Sequence, residues 1–152
     1  MSSIDRDIED VLGPQIEPER RPALALVQAD RPKPPQEIEF ERCRQWLEPA
    51  LDGGRRTMAD VVQALVTGQA QLWPGKGCAM VTEVHQFPTA KVLQVWLAGG
   101  DGAELIAMQA GIEAWARLVG CSEVLIEGRQ GWARKLKPIG FDLYSVCLRK
   151  AL

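Results

Sequence analysis

The apolar positions change rhythm along this chain, and each change predicts an element. In 38-IEFERCRQWLEPAL-51, Ile38, Cys43, Trp46, Leu47 and Leu51 fall near helical spacing, and Gly53-Gly54 then breaks the chain. The stretch 57-TMADVVQALVTG-68 predicts a second helix: Thr57 as N-cap, Asp60 at the capping-box position, Gly68 as the stop, and Met58, Val61, Val62 and Leu65 as the apolar face. A strand series follows. It comprises 69-QAQLWPG-75, ended by a Pro-Gly turn, 77-GCAMVTEVHQF-87, stopped by Pro88, and 90-AKVLQVWLAG-99, aliphatic throughout and therefore central. Their short connections predict an antiparallel meander. The period then returns to helical in 103-AELIAMQAGIEAWARLVG-120, where Leu105, Met108, Ile112, Trp115 and Val119 recur at three- and four-residue intervals. A buried strand 123-EVLIEG-128, a short helix within 131-GWARKLKPIG-140 and a closing strand 142-DLYSVCLRK-150 complete the series. The texture is α+β: a mixed, mainly antiparallel sheet flanked by helices, with one β-α-β crossover through 92–127.

Residues 1–36 have no such rhythm. Pro14, Pro18, Pro22, Pro32, Pro34 and Pro35 exclude long helices and central strands, because proline fixes φ and lacks an amide proton. The expected organisation is an extended N-terminal arm, 1–36, and a folded domain, 37–152. Within the arm, 23-ALALVQ-28 can form a strand or an extended docking segment, with Leu24, Leu26 and Val27 as candidate interface residues.

Composition narrows the function classes. The 152 residues fit one domain, and 46% are hydrophobic, enough for a core. The net charge of -2 lacks the basic excess that phosphate neutralisation needs, which argues against nucleic acid as the main partner. Cys43, Cys78, Cys121 and Cys147 form no C-x-x-C pair and His85 is the sole histidine, so no metal site is expected. Cys78, Cys121 and Cys147 lie in apolar surroundings, where reduced, buried cysteine is the common outcome. The polar, acidic start of the chain reads as no signal peptide, and the longest apolar runs fall short of a membrane span, so a cytoplasm-like setting without a membrane partner is expected.

The segment 92–150 resembles the C-terminal half of the GNAT acetyltransferase fold. The glycines after a central strand in 97-LAGGDG-102, the long helix, the next strand, the short helix and the Gly140-Phe141 pair come in the order of that family. The stretches "LWPGKGCAMVTEV" and "GCSEVLIEGRQGWARKLKPIGF" also resemble small GNAT-like virion components of bacteriophages and prophages, in which the fold serves as a structural module. The first resemblance implies an acetyl-CoA-dependent N-acetyltransferase. The second implies a catalytically degenerate virion or assembly protein without cofactor, partnered by other virion proteins or by itself, and located in the virion and, during assembly, in the host cytoplasm.

The family pattern Arg/Gln-x-x-Gly-x-Gly/Ala holds a pyrophosphate on backbone amides at a helix N-terminus. Under the enzyme reading Gly99, Gly100 and Gly102 bind the cofactor. Here, however, Leu97 takes the Arg/Gln position and Asp101 brings a carboxylate to the loop. The same glycines serve a tight turn equally well. The tyrosine that many members place five residues before the closing Phe is replaced by Leu136, and Tyr144 lies beyond Phe141. The candidate bases are Glu83 and His85, which alternation puts on one face of their strand; on a half-exposed sheet two such polar residues are also an ordinary solvated surface. Glu127 and Arg129 bracket Gly128 at a strand end, as an anion site or a structural bridge. Arg134, Lys135 and Lys137 read as a solvated helix face. Among the five tryptophans, Trp96 and Trp115 fit the core by period, and burial is expected for at least three. Trp73 and Trp132, at element ends, suit an interface. The reading that follows is a borrowed fold that docks through its surface and arm, with the acetyltransferase as the alternative.

Overall fold

The computed structural model describes residues 35–51 and 55–152. The arm residues Leu24, Leu26 and Val27, and the whole of 1–34, lie outside the described residues.

The elements follow the predicted order: α1 (Pro35–Leu47), a 3-10 turn (Glu48–Ala50), α2 (Met58–Val66), β1 (Ala70–Pro74), β2 (Cys78–Gln86), β3 (Lys91–Gly100), α3 (Gly102–Leu118), β4 (Glu123–Ile126), α4 (Gly131–Leu136) and a second 3-10 turn (Lys137–Ile139). Pro35 and Gln36, assigned to the arm by composition, begin α1; proline is well tolerated in a first helical turn, where the missing amide proton costs no bond. The strands lie side by side in sequence order. β1–β2 and β2–β3 are antiparallel, and β3–β4 is parallel, closed by the α3 crossover.

Strand alternation divides the core between the two faces of the sheet. Ala79, Val81 and Leu97 face Phe40, Cys43 and Leu47 of α1 and Met58, Val61 and Ala64 of α2. Cys78, Met80, Leu93 and Val95 face Leu105, Ile112 and Ala116 of α3. Each fully buried Leu, Val or Ile in these clusters contributes about 1.5–3 kcal/mol of transfer free energy. The β2–β3 ladder shifts register between Val81 and Thr82, so Val81 pairs with Leu97 and Thr82 with Val95. Trp96 is thereby the extra residue of a bulge, which turns it toward the same helices as Leu97.

α2 starts as the sequence predicts. Thr57 Oγ1 accepts from the Asp60 amide at 3.4 Å, and the Thr57 amide donates to Asp60 Oδ2 at 2.7 Å. That backbone bond, with the Thr57 hydroxyl, holds the Asp60 carboxyl below its usual range.

Three expectations need correction. The closing strand 142–150 does not form a strand: the segment leaves the sheet, with Leu143, Tyr144, Val146 and Leu148 all exposed. Its β-forming residues set a propensity, but a strand needs a ladder partner, and a groove separates this segment from β4. Cys147, expected in apolar surroundings, is exposed for the same reason, whereas Cys43, Cys78 and Cys121 are buried and free. No tryptophan is fully buried; all five are half-buried, each laying one part of its ring system against a core cluster. An indole is large and is rarely buried entire.

Candidate functional site

The N-terminus of α3 is where an anion would meet free amides. The chain itself takes that place. Asp101 is the N-cap, and its Oδ1 accepts from the amides of Ala103 at 2.9 Å and Glu104 at 3.2 Å. Glu104, in the same helical turn, reaches back to the β1–β2 turn. One of its oxygens accepts from the Gly77 amide at 3.0 Å, and the other accepts from the Lys76 amide. From the opposite side Arg42 of α1 donates to the carbonyls of Gly75 at 2.7 Å and Lys76 at 3.2 Å. A carboxylate thus holds the amides of this turn while a guanidinium holds its carbonyls. Glu39 fixes the guanidinium at 2.8 Å, and that hydrogen bond holds the Glu39 carboxyl below its usual range. Beside the turn, burial first and the Glu104 charge second push the Cys78 thiol up to about 11.

The glycines of this loop have different tasks. A Cβ on Gly99 would lie 2.0 Å from the Trp46 carbonyl oxygen, so this position lets α1 pack onto β3. Gly100 has φ +99°, and a Cβ there would lie 2.3 Å from the Gly77 carbonyl oxygen. Gly102 has open space around it. Two of the three are therefore required by packing and turn geometry, and only Gly102 remains without a structural need. Leu97, at the pattern's cationic or amide position, is 3% exposed and belongs to the α1–α2 core.

These residues do not fit the pyrophosphate of coenzyme A. Two amides that would receive it are bonded to Asp101, a second carboxylate follows within the same turn, and the position for a polar side chain is committed to the core. Each nearby unit charge repels a bound phosphate charge by about 1 kcal/mol in water and several at surface dielectric.

The other predicted residues do come together. Glu83 and His85 share the α1–α2 face of β2, with His85 Nε2 3.4 Å from Glu83 Oε2. Arg56, just before α2, donates to Glu83 Oε1 at 2.9 Å and stacks its guanidinium 4.2 Å from the centre of the Trp96 ring. The bulge that reorients Trp96 makes this stacking possible. Glu83 is 14% exposed and His85 44%. A cleft of about 380 Å³ opens beside them, lined by Arg56, Asp60, Gln63, Gln69, Glu83 and Trp96. It lies five residues along β2 from the Cys78–Gly100 pair, about 17 Å at the rise of a strand. Glu83 is paired with Gln94 of β3, next to the point where β3–β4 pairing ends at Val95 and Ile126.

The remaining candidates stay apart. Leu136, in the tyrosine position, is buried, and Tyr144 is exposed. Glu127, Arg129, Arg134, Lys135 and Lys137 are all exposed. The Trp73 indole donates to Thr82 Oγ1 at 2.9 Å and meets Trp115 edge-on at 5.6 Å. Trp132 packs at the margin of the α3 core, with Lys135 Nζ 5.6 Å from its ring centre. Among the described residues no group of His, Cys, Asp and Glu could hold a metal ion, and no helix is long and apolar enough to cross a membrane. Arg42, Arg56 and Glu104 escaped the sequence reading. The first-turn position of Glu104 was the only local signal, and it does not reveal the distant turn that Glu104 binds.

Comparison with solved structures shows the fold. A Trypanosoma brucei acetyltransferase superposes with TM-score 0.58 at 10% identity, covering 76% of this chain and 94% of that one. Glucosamine-6-phosphate N-acetyltransferase from Arabidopsis thaliana gives TM-score 0.55 at 11% identity, over 76% and 93%. A Thermus thermophilus protein gives 0.53 at 18%, over 80% and 95%. The chain has a GNAT-like fold, shared with acetyltransferases at low sequence identity. No protein-family profile and no curated protein matches it.

Proposed function

We propose that this chain is a protein-docking component built on an acetyltransferase-like fold, and that it does not use acetyl-CoA. The observation that carries this reading is the engagement of the α3 N-terminal amides by Asp101, with Glu104 beside it latched to the β1–β2 turn. The setting we infer, from the resemblance to phage virion components, is assembly into a particle, with residues 1–34 as the arm that adds extended segments to a neighbour through Leu24, Leu26 and Val27. Deleting residues 2–34 is expected to leave the thermal transition of the domain unchanged and to abolish its capture with its assembly. Capture at normal stoichiometry by the truncated protein would remove the arm from the mechanism.

A second reading is an N-acetyltransferase with a divergent cofactor loop. The neighbours named as acetyltransferases speak for it more than for a virion role. So does the Arg56–Glu83–His85 cluster, whose cleft sits beside the end of β3–β4 pairing, where an amine could be held by Glu83. In this reading His85 or Glu83 would take the amine proton. The Arg56 bond to Glu83 opposes it, since it already occupies a carboxylate oxygen that an amine would need.

A further inference from the structure

The cleft beside Glu83 is built by elements that converge from different parts of the chain. The β1–β2 register pairs Ala70 with Glu83, which sets Gln69, just before β1, at the cleft wall. The bulge of β3 turns Trp96 to this face, and the start of α2 supplies Arg56 and Asp60. The hollow of about 380 Å³ falls within the size range of small-molecule sites. Arg56 is its fixed cation. Its guanidinium lies 4.2 Å from the centre of the Trp96 ring, and Nη1 donates to Glu83 Oε1 at 2.9 Å. A guanidinium carries five N–H groups. The stack and this one bond set its plane and leave further donors, and the side chain remains 45% exposed. A guanidinium held in this way is already oriented to meet a planar carboxylate with two parallel N–H groups. Glu83 has the opposite role. His85 Nε2 stands 3.4 Å from its Oε2, too far for a strong hydrogen bond, so this oxygen keeps the capacity to accept.

We propose that this cleft binds a small zwitterion, an α-amino acid, with its carboxylate on the Arg56 guanidinium and its ammonium toward Glu83 Oε2 and Asp60. Charge selects this class. The lining carries two bases, Arg55 and Arg56, and two acids, Asp60 and Glu83. A dianion such as phosphate would meet both acids at once, whereas a molecule bearing one charge of each sign matches the lining and adds no net charge to it. Spacing selects the α-amino acid among zwitterions. Arg56 and Glu83 are in direct contact, so the two charges of the ligand must lie close together, as they do on a single carbon. The amides of Gln63 and Gln69 complete a polar lining that suits a ligand of this kind. The inference uses the cleft of the acetyltransferase reading but requires no acetyl transfer. Its test omits acetyl-CoA, so its failure and the failure of that reading are seen separately.

Titration of the isotope-labelled full chain with the common L-α-amino acids, followed by NMR, tests it. The readouts are the Arg56 Nε–H and the Trp96 indole N–H, the latter identified by its loss in Trp96→Phe. The expected result is that at least one amino acid shifts both at millimolar concentration or below. The amine that lacks its carboxylate, and the N-acetylated form that lacks its ammonium, are each expected to bind about tenfold more weakly or worse. Arg56→Lys keeps the charge but not the planar fork, and is expected to weaken binding of the amino acid by the same factor. Gln63→Glu, at an exposed position of α2, adds a third acid to the lining and should weaken binding severalfold without disturbing the core. No shift of either resonance by any amino acid at tens of millimolar overturns the proposal. Binding that is indifferent to loss of the carboxylate and to both Arg56→Lys and Gln63→Glu also overturns it. Shifts produced by inorganic phosphate and by no amino acid overturn it too, and make the cleft a simple anion site.

Discussion

Gly99→Ala is expected to unfold the domain or to lower its melting midpoint by about 10 °C or more, whereas Gly102→Ala leaves it as stable as the parent or slightly more so. The added carbon at residue 99 would sit 2.0 Å from the Trp46 carbonyl oxygen, a backbone atom that cannot turn away as a side chain can. Relief requires α1 to lift from β3, which strips Leu47 and Cys43 of their contacts with the sheet. Overpacking of this kind costs about 3 kcal/mol or more, and each kcal/mol shifts a domain of this size by about 4 °C. Gly102 has open space where its Cβ would be and no left-handed φ, so alanine there is expected to gain about 0.4–1 kcal/mol by restricting the unfolded chain. Thermal denaturation followed by circular dichroism checks both. Equal melting of the Gly99→Ala protein and the parent would mean that the glycines are retained for something other than packing. The contrast bears on function: Gly99 and Gly100 are held by the fold's own needs, and Gly102 is not.

Leu97→Gln is expected to cost about 2.5–6 kcal/mol and to confer no affinity for acetyl-CoA. The substitution restores the residue that the family pattern asks for. Leu97, however, is 3% exposed and packs with α1 and α2. Losing that burial costs about 1.5–3 kcal/mol, and leaving an amide side chain unsatisfied there adds about 1–3 kcal/mol. Urea denaturation measures the difference as a lower midpoint at unchanged slope. A Leu97→Gln protein as stable as the parent would show that this side chain has a polar outlet.

Much of this fold was legible because its signals are local. The Thr57–Asp60 capping box, the meander and the α3 periodicity each lie within a few residues, and each of these elements appears within a residue or two of its expected bounds. The co-facing of Glu83 and His85 followed from strand alternation alone. What was not legible depends on distance in sequence or on a partner. Arg42 meets Gly75 across 33 residues and Glu104 meets Gly77 across 27, and no local pattern encodes either contact. The bulge at Val81–Thr82, which brings Trp96 over Arg56, left no mark such as glycine or proline in either strand at that point. The closing strand failed for a related reason: 142-DLYSVCLRK-150 has the composition of a strand, but composition does not supply the neighbour that makes one. The loop 97-LAGGDG-102 was legible in its chemistry, since Asp101 signalled a hostile charge; that its carboxylate occupies the helix amides required the structure.

Isothermal titration calorimetry with acetyl-CoA asks whether the N-terminus of α3 can take a cofactor. No heat and no thermal shift are expected at millimolar cofactor, because Asp101 already bonds the amides of Ala103 and Glu104. Micromolar binding that is lost in the stable Gly102→Ala protein, together with acetylation of an amine, would contradict that expectation.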